Sequence, residues 1–242
     1  MSTRAGSSSE DAVFLVVRTR SILACILHWV LFLSIVTLVV TGFYIAYPVY
    51  YFGQGEAYQA FAMANMRGYH FIAAAVLMTV LFTRFYLSFT ASCNKDIKQF
   101  LPTPKNVVNA LKLAYYYTTG RGEHGHYRFI NPLGGLGIFL MCVLMGFQVL
   151  SGFLLYLPAE SPDSIFVIAA VSITNTLGGL QIVRLLHHTA MYGLIFVVMI
   201  HVYMQIWKNT MFTESDISSI IGGYKIFPYS EIGHFADSYG LV

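Results

Sequence analysis

Four long apolar runs decide what this chain can fold into. Ser21–Tyr47 and Leu133–Leu157 contain no Asp, Glu, Lys or Arg, Gly68–Ala91 contains only Arg84, and Leu185–Trp207 has histidine as its only ionisable side chain. Crossing a hydrocarbon core takes about 20 predominantly apolar residues, and each run supplies them. Charged residues are 10% of the chain and apolar ones 57%, whereas about a quarter of a soluble domain is charged. A water-soluble enzyme is therefore excluded. The expected fold is an all-α membrane protein, a bundle of four spans at about 21–47, 68–91, 132–157 and 182–207 within a membrane domain 21–207.

The run Ile165–Ile173 is too short to cross and stands before Asn175 and Gly178-Gly179. It reads as a short helix at or dipping into the membrane surface, with a fifth span as the alternative. The first span is longer than the apolar core of a signal peptide, and no small-x-small cleavage site follows it, so it is kept as a helix. The Ser-rich start, Ser2–Ser9, reads as a disordered tail. Cys25, Cys93 and Cys142 are odd in number and suggest neither a disulfide framework nor a zinc site.

Orientation follows from Lys and Arg counted loop by loop. Eleven of the 14 fall in residues 1–20, in the loop 92–131 and in residues 208–242, while Pro48–Asn65 and Pro158–Gln181 have none. Both termini and the 92–131 loop are thus expected on the cytoplasmic side of a bacterial inner membrane, with 1–20 and 208–242 as tails. In that loop Thr103-Pro104 reads as a helix start, leading into an interfacial amphipathic segment. The net charge of +3 forms no basic face, so no nucleic-acid partner is expected.

Histidine inside lipid is costly without a partner and marks function by default. His187 and His201 stand 14 residues apart, which brings the side chain back to within about 40° of the same helix face, about 21 Å along the axis. His28 comes early in the first span and His70 early in the second, which runs the other way. Depth pairs His28 with His201 and His70 with His187. Two imidazole pairs stacked across a membrane fit two six-coordinate b-type haems. Gly42 follows His28 by 14 residues, at the outer level, and Arg84 follows His70 by 14, at the inner level. Arg67 and Arg184 each stand three residues before a candidate ligand, one turn toward the outer surface, where haem propionates want cations. A buried histidine can instead be a hydrogen-bonded helix contact, the reading kept for His188. Zinc or iron without haem would need three or four converging ligands, and each depth offers two. His124 and His126 in a Gly-rich loop read as solvated.

On LHW (Leu27–Trp29), RGYHF (Arg67–Phe71), RLLHH (Arg184–His188), IHVYM (Ile200–Met204) and IIGGYK (Ile220–Lys225), the chain resembles the cytochrome b subunit of membrane-bound nickel-iron hydrogenases from about Arg20 to Tyr224. The histidine pattern alone also fits the gamma subunit of formate dehydrogenase. The resemblance implies that hydrogenase small and large subunits sit outside the membrane and that His70 and His187 hold the outer haem. It implies that His28 and His201 hold the inner haem, and that quinone is reduced beside that one with help from Asn131. Relatives commonly carry His directly before this Asn-Pro; here Ile130 stands there, and His126 is the expected substitute. Glu123, Glu214 and Asp216 are further candidates for moving protons, and Tyr50, Tyr51, Phe52 and Tyr58 for docking the exported partner. A membrane anchor or a transporter with a histidine proton relay is the alternative of a different class, and it predicts no bound pigment.

Overall fold

The computed structural model describes residues 14–48, 61–90, 101–121, 131–159, 164–211 and 216–228. In chain order the elements are β1 (Phe14–Arg18), α1 (Ile22–Ala46), α2 (Ala62–Thr90), α3 (Pro104–Thr119), α4 (Pro132–Tyr156), a 3-10 turn (Leu157–Ala159), α5 (Ile165–Thr176), α6 (Leu180–Met211), α7 (Asp216–Ile221) and β2 (Tyr224–Pro228). Of these, α1, α2, α4 and α6 are long and apolar enough to cross a membrane, and the 12-residue α5 is not.

The helix ends follow from local chemistry. Ser21 caps α1, its hydroxyl oxygen accepting the Ala24 N–H at 3.2 Å. Thr103 caps α3 and Asn131 caps α4, in each case ahead of a proline whose missing N–H costs nothing in the first turn. The Asn131 Oδ1 accepts the Gly134 N–H at 2.6 Å. α3 ends on Gly120, at φ 68° in the left-handed region that a side chain would strain. Inside the spans, Ser34, Thr37, Thr79, Thr83 and Ser88 donate their hydroxyls to the carbonyl one turn back, at 2.8–2.9 Å, so a polar group meets no unsatisfied exposure to lipid.

The bundle is built from two antiparallel pairs. α1 and α2 run side by side: Thr41, late in α1, meets His70, early in α2, and the Arg84 Nη1, late in α2, donates to the Ala24 carbonyl, early in α1, at 3.0 Å. α4 and α6 form the other pair, with the Gln148 amide donating to the His187 carbonyl at 2.9 Å and Gly193 facing Leu144. Between the two pairs close backbone approach is sparse, and long side chains meet instead. Phe43 contacts Tyr192 and Phe71 contacts Tyr156, with ring centroids 5.8 and 5.0 Å apart. α3 lies on α4, burying Ala110 and Leu113, and its Tyr117 ring meets Trp207 of α6 edge to face at 5.1 Å.

α2 and α6 begin at Ala62 and Leu180, so Arg67 and Arg184 lie more than a turn inside their helices. One feature departs from the expectations: the segment before the first span is not wholly a tail. Phe14–Arg18 pairs antiparallel with Tyr224–Pro228, with Val16 opposite Ile226, which adds a two-stranded sheet to a fold expected to be all-helical. β-branched and aromatic residues favour such pairing, but partners about 200 positions apart leave no local pattern to read. Ser2–Ser9 lies outside the described residues.

The sheet is locked to α1 by the Gly223 carbonyl, which accepts from the Thr19 and Arg20 amides at 2.8 and 3.1 Å. Gly223 has φ 85°, and a Cβ there would stand 2.6 Å from the Arg20 carbonyl oxygen. Gly223→Ala is therefore expected to destabilise the chain by about 1–3 kcal/mol. Thermal unfolding of the full chain in detergent would show a lowered midpoint; an unchanged midpoint would mean the strand pair adds nothing.

Candidate functional site

The five histidines on the spans occupy two levels. At one, His70 of α2 and His187 of α6 lie within electrostatic reach of each other, and His188 lies within reach of both. At the other, His28 of α1 and His201 of α6 lie within reach of each other. Each level therefore draws one histidine from the α1/α2 pair and one from the α4/α6 pair. Both α6 residues lie on one face because 14 residues nearly complete four helical turns, which separates the levels by about 21 Å.

The His70/His187 level has a repeated construction. The His70 Nδ1 is 2.8 Å from the Thr41 Oγ1, and its Cε1 lies 3.6 Å from where a side chain on Gly42 would begin. The His187 Nδ1 is 2.8 Å from the Ser151 Oγ, and its Cε1 lies 3.6 Å from the equivalent point on Gly152. Thr41-Gly42 on α1 and Ser151-Gly152 on α4 thus each cradle the imidazole of the neighbouring helix. Met191, one turn after His187, brings its sulfur toward Gly42 from the opposite pair. His188 makes an edge contact with the His187 ring at 6.3 Å.

The His28/His201 level is built differently. Arg84 reaches in from α2, held by the Ala24 carbonyl, and lies within electrostatic range of His28 and of Cys142 on α4. The His28 Nδ1 is buried and has no hydrogen-bond partner among the described residues. Its ring packs edge-on against Trp29 at 5.7 Å. Cys25 is a buried free thiol whose Sγ points at the Ser219 carbonyl, 3.5 Å away, and Cys142 is free and exposed.

Of the other residues marked in the sequence, Arg67 and Arg184 are exposed, and the Arg184 Nη1 donates to the Gln181 Oε1 at 3.0 Å. Asn131 is buried, and its Nδ2 lies 3.4 Å from the Tyr117 hydroxyl. His124, His126, Glu123, Glu214, Cys93 and the aromatic residues 50–52 and 58 lie outside the described residues. Thr41, Ser151, Gly152 and Met191 were not singled out in the sequence. Thr41 directly precedes Gly42, but the third span has no histidine to set a register, so Ser151-Gly152 carried no signal.

Does this donor set fit a haem? A b-type haem takes one nitrogen from each of two facing helices and otherwise apolar walls. Both levels offer one imidazole from each side of the division between the helix pairs, and among the described residues no group of three or more His, Cys, Asp or Glu forms a metal-ion donor set. At the His70/His187 level, Gly42 and Gly152 leave open the space beside each ring, 3.6 Å from its Cε1, that a side chain would fill. The residues present fit.

Comparison with known proteins agrees. The family model described as prokaryotic cytochrome b561 matches residues 19–223. A protein of Azotobacter vinelandii named as a probable Ni/Fe-hydrogenase B-type cytochrome subunit is 31% identical over 83% of this chain and 84% of its own length. A protein of Rhodobacter capsulatus with the same name is 29% identical over 83% of this chain and 78% of its own. One of Escherichia coli, named as a probable Ni/Fe-hydrogenase 1 B-type cytochrome subunit, is 27% identical over 86% and 89%. With four apolar spans, histidines facing one another across two helix pairs, and a family model that covers all of them, this chain belongs to the prokaryotic cytochrome b561 family.

Proposed function

We propose that the chain is the dihaem cytochrome b of a membrane-bound nickel-iron hydrogenase, taking electrons from the iron-sulfur small subunit outside the cytoplasmic membrane and delivering them to quinone on the cytoplasmic side. The observation that carries the proposal is the matching of His70 with His187 and of His28 with His201, each pair contributed by opposite halves of the bundle. The relatives' names support the hydrogenase partner, and the bias of Lys and Arg supports the orientation. Bound b-type haems supply one-electron carriers at two depths of the membrane.

The chain's own residues then have distinct tasks. His70 and His187 hold the outer group, with Gly42 beside it, and Arg67 and Arg184 offer cations to carboxylates at the outer interface. His28 and His201 hold the inner group, and Arg84 places a half-buried positive charge at that level. The quinone site is assigned to the region where α3, the start of α4 and the end of α6 meet. There the Asn131 Oδ1 is committed to the helix cap, while its amide carries two hydrogens, one directed at Tyr117. The other suits a quinone carbonyl, a neutral acceptor that needs no buried charge. Each quinone takes two electrons and two protons, and protons reach this face from the cytoplasm, with His126, Glu123, Glu214 and Asp216 as relays.

Three sets of variants test these assignments. His70→Ala and His187→Ala should remove mainly the outer haem, His28→Ala and His201→Ala the inner one, and His188→Ala should keep both. The readout is the haem content and redox titration of the purified chain; loss of both haems in every variant, or of neither, contradicts the pairing. Asn131→Ser keeps a helix cap but loses the amide donor, so hydrogen-dependent quinone reduction should fall by about tenfold or more, the loss of a hydrogen bond worth about 1.5 kcal/mol. Both haems should remain reducible by hydrogen; full quinone activity would leave Asn131 as a cap alone. Finally, co-purification should recover a nickel-iron heterodimer, and recovery of a molybdenum enzyme would replace the hydrogenase reading with the formate-type one.

A further inference from the structure

We infer that Thr41 and Ser151 are positioning residues that set the tautomer and orientation of His70 and His187, leaving the Nε2 of both rings as the nitrogen with the free lone pair. This deepens the proposed function and rests on that level being the outer haem site.

The inference comes from counting protons. A hydroxyl has one hydrogen to donate. That of Thr41 lies 2.7 Å from the Thr37 carbonyl and 3.3 Å from that of Leu38, and that of Ser151 lies 2.7 Å from the Phe147 carbonyl and 3.3 Å from that of Gln148. Carbonyls only accept, and inside lipid a helical hydroxyl is satisfied by the carbonyl of the preceding turn. With its hydrogen used there, each hydroxyl meets the imidazole 2.8 Å away as an acceptor, so the hydrogen in that bond belongs to Nδ1. Neutral imidazole has one N–H, and Nε2 is then the bare nitrogen that an iron can take.

The same device occurs twice, in each helix pair once, and by different residue types: Thr-Gly on α1 and Ser-Gly on α4. The glycine next to each hydroxyl lies against the ring's Cε1, 3.6 Å from where a Cβ would begin, so the ring edge can settle onto the backbone. Two independent elements converging on one geometry argue for a requirement of the site beyond packing. The His28 Nδ1 has no such partner among the described residues. A hydrogen bond from Nδ1–H to an acceptor makes the ligand more basic and favours oxidised iron. The hydroxyls would thus hold the outer potential down relative to what unsupported histidines would give. A lower outer potential would favour electron flow from the outer level to the inner one.

The test is potentiometric titration and low-temperature electron paramagnetic resonance of the full chain purified in detergent, comparing wild type with Thr41→Val, Ser151→Ala and Thr41→Ser. Thr37→Val is the control, because that hydroxyl bonds the Leu33 carbonyl one turn away. Thr41→Val and Ser151→Ala should raise the midpoint potential and shift the g-values of the haem that His70→Ala removes, with the other haem unchanged. Thr41→Ser, which keeps the acceptor, should retain wild-type values. Unchanged potential and g-values in both Thr41→Val and Ser151→Ala would overturn the inference and leave the hydroxyls as packing. If Thr41→Val loses the outer haem altogether, its retention in Thr41→Ser supports the acceptor role, and its loss in both contradicts it. Failure of the underlying site reading is separate: it would appear as His70→Ala keeping the haem that wild type has.

Discussion

Lipid supplies no hydrogen bonds, so each polar side chain in the four long helices must find its partner within the chain or in something the chain binds. Most do so at short range. The serine and threonine hydroxyls fold back onto their own helices, and Gln148 bonds across to the His187 carbonyl. Histidine cannot be satisfied this way, because its ring has two nitrogens pointing in opposite directions. His70 and His187 each have one nitrogen held by a hydroxyl, and His28 has a buried nitrogen with no partner among the described residues. On the proposed function, the spare bonding capacity of these rings is what turns a helical bundle into a binding protein.

Division into two helix pairs makes room for that capacity to be used. Helices packed at uniform distance would fill their centre with aliphatic contacts. Here α1 lies along α2 and α4 along α6, while the pairs meet through long side chains. Because α6 returns to one face every 14 residues or so, it can serve two levels from one side, and α1 and α2 each serve one level from the other. The antiparallel packing of α1 and α2 matters equally: His28 near the start of one and His70 near the start of the other fall at opposite depths for that reason alone.

Much of this was legible in the sequence because it depends on local pattern. The four spans show as apolar runs in which Arg84 alone is an Asp, Glu, Lys or Arg, the cap at Thr103 shows as a polar residue before proline, and the α6 face shows as a 14-residue interval. The α5 run was too short to cross, and it forms a 12-residue helix. What local pattern could not supply is partnership over distance. The β1–β2 pair joins residues about 200 positions apart, and Ser151 becomes significant only because α4 packs against α6 with that hydroxyl opposite His187.

The central claim is that the chain holds two b-type haems, each between two histidines. The most direct measurement is the haem-to-protein ratio of the purified wild-type chain, from its pyridine haemochrome spectrum, together with its low-spin resonance signals. The account predicts two haems b per chain with two distinct low-spin signals and no high-spin iron. A chain purified intact with one haem or none, or with a five-coordinate high-spin signal, would contradict it.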